Sequence, residues 1–306
     1  MAKMFDFLGK GTTSDVYYLN EDLILKLYHD NITEEEALKE FKLSAYLHSK
    51  IEASPAAADL VEIGGRHGLL LENLGSVTLL DAMKQEPDRA YEYGIQYGEL
   101  AKNIHKNKAD PDLPAASETL KRGLLRSEGE LKEEVRAYIR KKLDDFPKED
   151  TLLHGDLSPK NIMVKNGRLY VIDPMTLRNG PAIYDLLPCF MFCHIWGEFR
   201  AAYLALSPED KAKDPAWARF LSNYAEFYVD ETTTRRVWKG FLKGCYGDLS
   251  EEESRGITAE IRELNYIKYA AAIWNLDLFP YEVKKKVSSW AEKNIIKLIN
   301  EQKGAE

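Results

Sequence analysis

The pattern of apolar residues changes once along this chain, near residue 75, and the change limits the folds that the chain can adopt. Before it, short apolar runs bounded by turn residues predict five strands, at Phe5–Leu8, Val16–Asn20, Leu23–Tyr28, Leu60–Ile63 and Gly68–Glu72. Between the third and fourth strands, Thr33 and Glu36 form a capping box that opens a helix, and apolar residues keep helical spacing to about Lys50. The first 75 residues therefore predict a five-stranded antiparallel sheet with one helix.

After residue 75 the pattern is mostly helical. It predicts helices at Thr78–Gln85, Arg89–Asn107, Ser117–Arg126 and Glu130–Phe146, and again from Asp185 onward. Between these helical segments, Asn166-Gly167 separates two β-rich runs, Ile162–Lys165 and Leu169–Ile172. This arrangement is a strong hairpin signal. We therefore predict an α+β fold with two lobes: a small antiparallel-sheet lobe at residues 1–75 and a larger helical lobe at residues 76–306.

Composition narrows the class of protein. The 306 residues are 44% hydrophobic, enough for a sizeable core, and the net charge of −8 disfavours nucleic acid as a partner. No stretch approaches the roughly 18 apolar residues of a membrane helix, and the first residues lack the apolar core of a signal peptide. The three cysteines show no CxxC spacing, which argues against a disulfide framework or a structural zinc site. We therefore expect a cytoplasmic protein that does not bind membranes.

The segment from His154 to Asn161 contains the most informative motif. It places Asp156 and Asn161 five residues apart in a loop, and the following hairpin leads to Asp173. Phosphoryl transfer needs one carboxylate to orient the attacking hydroxyl, and an amide oxygen and a second carboxylate to hold magnesium. The spacing therefore favours a catalytic role for Asp156 and a metal-binding role for Asn161 and Asp173.

A glycine-rich segment with Gly9, Gly11 and Ser14 separates the first two predicted strands. Glycines let backbone amides approach phosphate oxygens closely. A Walker A loop is excluded because Met4 stands where it needs glycine and Gly11 where it needs serine or threonine. A Rossmann fingerprint requires a helix after the glycines, whereas this chain continues into a strand. The arrangement of strand, glycine loop and strand is that of kinases.

These motifs together resemble the eukaryotic-type kinase superfamily, whose catalytic loop has the pattern His-x-Asp-x4-Asn. Gly155 stands where protein kinases usually have arginine, and Pro174-Met175 follows Asp173 where they have Phe-Gly. The aminoglycoside phosphotransferase and choline kinase-like branch is the closer resemblance. It rests on three segments: His154-Gly155-Asp156, Val171-Ile172-Asp173-Pro174 and Gly180-Pro181-Ala182-Ile183-Tyr184-Asp185-Leu186.

The resemblance implies a bilobal protein kinase-like fold that binds ATP or GTP in the cleft with Mg²⁺ between its phosphates. It implies that Lys26 contacts the inner phosphates and pairs with a helix glutamate, either Glu40, our choice, or Glu36. The main-chain groups of Glu72 and Leu74 would hold the base.

The same resemblance assigns roles in the helical lobe. Asp156 would be the catalytic base, and Asn161 and Asp173 the Mg²⁺ ligands. His154 would support the catalytic loop, and Asp185 would be a buried carboxylate hydrogen-bonded to backbone. Lys160 would either meet phosphate or face solvent.

The acceptor would be a small molecule with a hydroxyl group, and the acidic net charge is compatible with a cationic one. An aminoglycoside is the first expectation; a metabolic kinase for choline, an amino alcohol or a sugar is the alternative. A nucleotide-binding pseudokinase that regulates a protein partner is a third reading, and the presence of Lys26, Asp156, Asn161 and Asp173 argues against it. Both a monomer and a homodimer are compatible with the sequence. The acidic candidates for acceptor binding are Glu198, Glu226, Asp230, Glu231, Glu263 and Asp277.

Overall fold

The computed structural model describes residues 5–303, so the outermost residues of both predicted lobes, 1–4 and 304–306, lie outside the described part of the chain. The strands are β1 (Asp6–Lys10), β2 (Ser14–Tyr18), β3 (Leu23–Tyr28), β4 (Ala57–Ile63) and β5 (Arg66–Glu72). They form one sheet in the order β1-β2-β3-β5-β4, and every neighbouring pair is antiparallel. The prediction of a five-stranded antiparallel sheet is confirmed.

The glycine segment is folded differently from its prediction. We expected β1 to end at Leu8, but it continues to Lys10 because Gly9 pairs with Val16 beyond a register shift after Phe7. A glycine within a strand often marks such an irregularity. The turn between β1 and β2 therefore contains only residues 11–13.

Helix α1 (Glu34–Lys50) begins where the capping box predicts. The Thr33 hydroxyl accepts a hydrogen bond from the Glu36 amide at 3.3 Å, and the Glu36 carboxylate accepts one from the Thr33 amide at 2.9 Å. The helix packs on β4 and β5 and buries Ala37 and Glu40. Burial of a carboxylate requires a partner, which the site provides.

The four helices predicted after residue 75 are present with small changes at their ends. They are α2 (Leu79–Gln85), α3 (Ala90–His105), α4 (Ala116–Arg126) and α5 (Glu133–Asp144). The C-terminal helices are α6 (Leu187–Phe190), α7 (Trp196–Ala205), α8 (Pro208–Lys213), α9 (Pro215–Phe227), α10 (Glu231–Tyr246), α11 (Glu251–Ala271) and α12 (Tyr281–Lys303). A π-helical turn at Met191–Ile195 joins α6 to α7. Within residues 5–303, none of the helices is both long and apolar enough to span a bilayer.

Helices α3 and α10 form the closest helix pair of the larger lobe. Gly94 and Gly98 face Gly240 and Gly244, and a Cβ added to Gly94 would lie 2.3 Å from the Val237 carbonyl oxygen. The backbones can approach this closely only because neither helix has side chains there. The packing fixes α3, whose fully buried Tyr97 donates a hydrogen bond to the carbonyl of Leu157 in the loop after Asp156.

Two short strand pairs frame that loop. Strand β6 (Leu152–Leu153) pairs with β9 (Arg178–Asn179), and β7 (Ile162–Lys165) forms a hairpin with β8 (Arg168–Val171). The hairpin turn has positive φ angles at Asn166 (53°) and Gly167 (74°), as the Asn-Gly pair predicts. The loop between β6 and β7 contains Asp156, and the chain after β8 contains Asp173. The topology thus brings both carboxylates to the same side of the hairpin.

Candidate active site

A cavity of about 1160 Å³ lies between the sheet and the helical lobe. Its lining includes every residue predicted to contact nucleotide or metal: Gly9, Gly11, Ser14, Lys26, Glu40, Glu72, Leu74, Asn161 and Asp173. The Gly11 amide donates to the Ser14 carbonyl at 2.7 Å and closes the turn over one side of the cavity. Residues that are up to 164 positions apart in sequence therefore meet at one site.

Lys26 on β3 forms an ion pair with Glu40 on α1, with 2.5 Å between Nζ and Oε1. The side chains are 17% and 6% exposed, so both charges are largely withdrawn from water. The alternative partner, Glu36, instead caps the first turn of α1. The structure thus selects Glu40 and rejects Glu36, and the pair fixes the Lys26 ammonium group at the cavity wall.

Asp156 and Asn161 contact each other directly. The Asn161 amide nitrogen donates to the Asp156 main-chain oxygen and to its carboxylate Oδ2, both at 3.0 Å. This contact restrains the Asp156 carboxylate, which is exposed at the surface of the loop. It also leaves the amide oxygen of Asn161 free of that interaction.

Asp173 adopts a left-handed conformation, with φ 65° and ψ 73°. A non-glycine residue held there costs about 1–3 kcal/mol, and such strain is concentrated at functional sites. The Asp173 carboxylate and the Asn161 amide line the same cavity. Hard oxygen donors of this kind suit Mg²⁺, so the donor set fits the predicted metal. Among residues 5–303 there is no cluster of three or more His, Cys, Asp and Glu side chains that would suit a different metal centre.

Asp185 lies completely buried behind the catalytic loop. Its carboxylate accepts hydrogen bonds from the amides of His154 at 2.7 Å and Gly155 at 2.6 Å, and His105 Nε2 lies 3.2 Å away. Burial alone would raise the pKa of Asp185. The contact with His105 and the hydrogen bond from Gly155 outweigh burial and hold the pKa below its usual value. His105 was missed by the sequence analysis, since no local pattern links residues 80 positions apart.

His154 supports the loop through its main chain. Its carbonyl accepts a hydrogen bond from the Thr176 hydroxyl at 2.8 Å, and its amide is held by Asp185. The imidazole is fully buried, and neither ring nitrogen has a hydrogen-bond partner within the described part of the chain. The neighbouring Gly155 has φ 85°, and a Cβ there would lie 2.1 Å from the Thr176 carbonyl oxygen. This close approach explains why glycine follows the histidine.

The segment that joins the two lobes is fixed by a residue that the sequence analysis missed. Lys165 at the end of β7 donates to the Asn73 carbonyl at 2.8 Å and lies 3.2 Å from Glu72 Oε1. Leu74 is buried, and its amide has no hydrogen-bond acceptor among residues 5–303. A free main-chain donor at the cavity wall is available to a ligand.

Aromatic residues lie around the other side of Asp156. Burial raises the pKa of Tyr224 and of Tyr269, and the Asp156 charge raises both further, so both phenols lie within electrostatic range of that carboxylate. Lys160 and Arg219 line the cavity nearby, and Lys160 Nζ lies 3.7 Å from the centre of the Phe227 ring. Two tyrosines therefore lie near Asp156, and two basic side chains line the cavity.

The sequence model of the APH family, described as a phosphotransferase enzyme family, matches residues 5–221. The chain belongs to this family. The match covers the sheet lobe, the catalytic loop and the helices up to α9, so the protein is a phosphotransferase of the small-molecule kinase type. The resemblance to this branch of the kinase superfamily is confirmed.

Solved structures with the same fold include two kinds of kinase. The ADP-bound aminoglycoside phosphotransferase APH(2'')-Ib aligns with a TM-score of 0.57 at 16% identity, over 95% of this chain and 92% of that one. A choline/ethanolamine kinase family protein from Mesorhizobium loti aligns with a TM-score of 0.56 at 14% identity, over 97% and 88% of the two chains. A search of curated proteins gave no significant match. The bilobal kinase-like α+β fold is therefore established.

Proposed function

We propose that this protein transfers the terminal phosphate of ATP or GTP to a hydroxyl group of a small molecule with the help of Mg²⁺. The decisive observation is that one cavity is lined by the Lys26–Glu40 ion pair, Asn161 and Asp173, and that the same Asn161 holds the Asp156 carboxylate at 3.0 Å. This is the set of groups that phosphoryl transfer from a nucleotide requires. Among the aligned aminoglycoside phosphotransferases, APH(2'')-Ib is bound to ADP, and APH(2")-IIa forms a ternary complex with ATP and streptomycin.

The nucleotide would lie with its base against Leu74 and its phosphates under the turn at residues 11–13. The free amide of Leu74 would donate to the base, and the Glu72 carbonyl would accept from it. Lys26 would contact the inner phosphates, because Glu40 holds its ammonium group at the cavity wall. The Lys165 contact with Asn73 would keep this segment in place while the nucleotide binds.

The carboxylate of Asp173 and the amide oxygen of Asn161 would hold Mg²⁺. Bound there, the ion would neutralise negative charge on the phosphate oxygens. The left-handed backbone of Asp173 directs this chain segment into the cavity.

Asp156 would orient the acceptor hydroxyl and take up its proton. The acceptor oxygen forms a bond to the terminal phosphorus, the bond from that phosphorus to the bridging oxygen breaks, and the nucleoside diphosphate leaves. The proton passes to Asp156 and then to water. Removal of a general base typically costs about 10²–10⁴-fold in rate, and positioning supplies most of the remainder.

Nucleotide consumption with Mg²⁺ across aminoglycosides, amino alcohols and sugars tests the proposal. The key variant is Asp156→Asn, and Asp144→Asn, at an exposed position of α5, is the matched control. We expect acceptor-dependent turnover in the wild type and the control, and a loss of about 10²–10⁴-fold in Asp156→Asn. Equal turnover in both variants would refute the catalytic role. Nucleotide binding without turnover of any acceptor would favour the regulatory pseudokinase.

A further inference from the structure

The acidic residues expected to bind a cationic acceptor have other partners. Glu263 contacts Lys142 at 2.7 Å, Glu231 contacts Arg235 at 2.5 Å, Asp277 contacts Lys284 at 3.8 Å, Asp230 caps α10, and Glu198 accepts from the Trp290 indole at 3.3 Å. Five of the six candidates thus serve local structure. None of the six lines the active-site cavity.

Two basic side chains line the active-site cavity instead. Lys160 and Arg219 both line it, and no carboxylate oxygen of residues 5–303 lies within 4.0 Å of either charged group. The Lys160 ammonium group lies 3.7 Å from the centre of the Phe227 ring on α9. The remaining acidic candidate, Glu226, precedes Phe227 and forms no ion pair with Lys160.

A second pair of basic residues lies behind the catalytic loop. Lys268 on α11 and Arg178 on β9 flank the Tyr184 ring, at 4.8 Å and 5.5 Å from its centre. Neither has a carboxylate within ion-pair distance in the described chain, and both are only partly exposed. Arg178 also packs against Gly155, since a Cβ on that glycine would lie 2.7 Å from Arg178 Nε. The Arg178 guanidinium donates to the Thr176 carbonyl and to the Thr119 hydroxyl, both at 3.0 Å, so hydrogen bonds hold this cation in place.

We propose that the acceptor is an anionic hydroxyl compound, one that already has a carboxylate or phosphate group, and that Lys160 and Arg219 bind this group. The inference rests on the proposed kinase function. The overall charge of −8 does not oppose it, because exposed charges more than about 8–10 Å away are largely screened at physiological salt. Arg178 adds positive charge beside Gly155, the residue that precedes Asp156. An anionic acceptor differs from the cationic one that the net charge made compatible with the sequence.

The test compares acceptors that share a hydroxylated skeleton and differ in one group. Two such series are glycerate, glycerol 3-phosphate, glycerol and 3-amino-1,2-propanediol, and gluconate, glucose 6-phosphate, glucose and glucosamine. We expect kcat/KM for at least one anionic member to exceed that of its neutral and amine counterparts by about tenfold or more. The carboxylate and phosphate members separate the two anion types. A preference for the neutral or amine member, or no turnover of any anionic member, would overturn the inference.

Variants identify the side chains responsible. Lys160→Met and Arg219→Met should each lower kcat/KM for the anionic acceptor about tenfold, while the nucleotide KM changes less than about twofold. Lys160→Arg should restore most of the loss, and Lys213→Met, at an exposed position of α8, should have no effect. Equal losses for neutral and anionic acceptors, or a raised nucleotide KM, would show that these residues serve the nucleotide. Slow nucleotide hydrolysis without an acceptor should be lost in Asp156→Asn, and this loss tests the kinase chemistry independently of the acceptor. If the charge preference is absent but this loss is observed, the anionic-acceptor inference fails and the proposed kinase function stands.

Discussion

Replacement of Asp185 by asparagine tests how the catalytic loop is held. The wild-type carboxylate accepts two backbone N–H groups, from His154 and Gly155, in a fully buried position. An amide offers one oxygen, so one of these buried donors loses its acceptor, which costs about 1–3 kcal/mol. The remaining hydrogen bond loses its charge assistance, roughly half of its strength. We expect Asp185→Asn to lower the free energy of unfolding by about 2–4 kcal/mol.

For a chain of this length, 1 kcal/mol corresponds to about 1.5–2 °C in melting temperature, so the midpoint should fall by about 3–8 °C. Differential scanning calorimetry beside the exposed control Asp144→Asn measures this shift. A change in Asp185→Asn no larger than that in the control would refute the loop-anchoring role of the carboxylate.

The same variant should alter the dependence of stability on pH. The pKa of Asp185 is held below its usual value, so the ionised form contributes stability that is fully present above the unfolded-state pKa of about 3.9. This contribution is lost as the pH falls through the lower folded-state pKa. The gap in stability between wild type and Asp185→Asn should therefore narrow below about pH 4. Urea unfolding between pH 3 and 7 measures it, and a gap that stays constant over this range would contradict the assignment.

Four further substitutions test other parts of the site. Lys26→Met and Glu40→Gln should each raise the nucleotide KM at least about tenfold. Because the two residues act as a pair, the double variant should raise the nucleotide KM little further. Steady-state kinetics of all three variants checks this, and additive effects on KM would contradict it. Gly155→Ala should lower both kcat and the melting temperature, because the alanine Cβ would lie 2.1 Å from the Thr176 carbonyl oxygen. Unchanged kcat and melting temperature would show that the loop can shift to accept the side chain. Lys165→Met should raise the nucleotide KM several-fold with kcat retained, as measured by initial rates, and a selective loss of kcat would argue against its role beside the nucleotide.

Local signals in the sequence predicted much of the fold. The Thr33–Glu36 capping box placed the start of α1, and the Asn166-Gly167 turn placed the hairpin, because both depend on contacts between residues at most three apart. The strand at Leu23–Tyr28 matches its prediction at both ends. The prediction failed at Gly9, where pairing with Val16 extends β1 past a residue that ordinarily signals a turn.

Contacts between distant residues could not be predicted in the same way. His105 meets Asp185, and Lys165 meets Asn73, across the fold, and neither contact leaves a periodic pattern in the sequence. The surroundings of the proposed acceptor site were the least predictable part. The acids of the C-terminal helices are solvated or paired locally, and only the folded chain shows that Lys160 and Arg219 lie in the cavity.

The most direct test of the proposed reaction follows the phosphate itself. Incubation with γ-³²P-labelled ATP, Mg²⁺ and the acceptor panel should place the label on an organic phosphate ester. In Asp156→Asn the rate of this transfer should fall by about 10²–10⁴-fold while labelled ATP still binds. Label found only in inorganic phosphate, or ester formed equally fast by Asp156→Asn, would contradict transfer to a hydroxyl acceptor with Asp156 as the base.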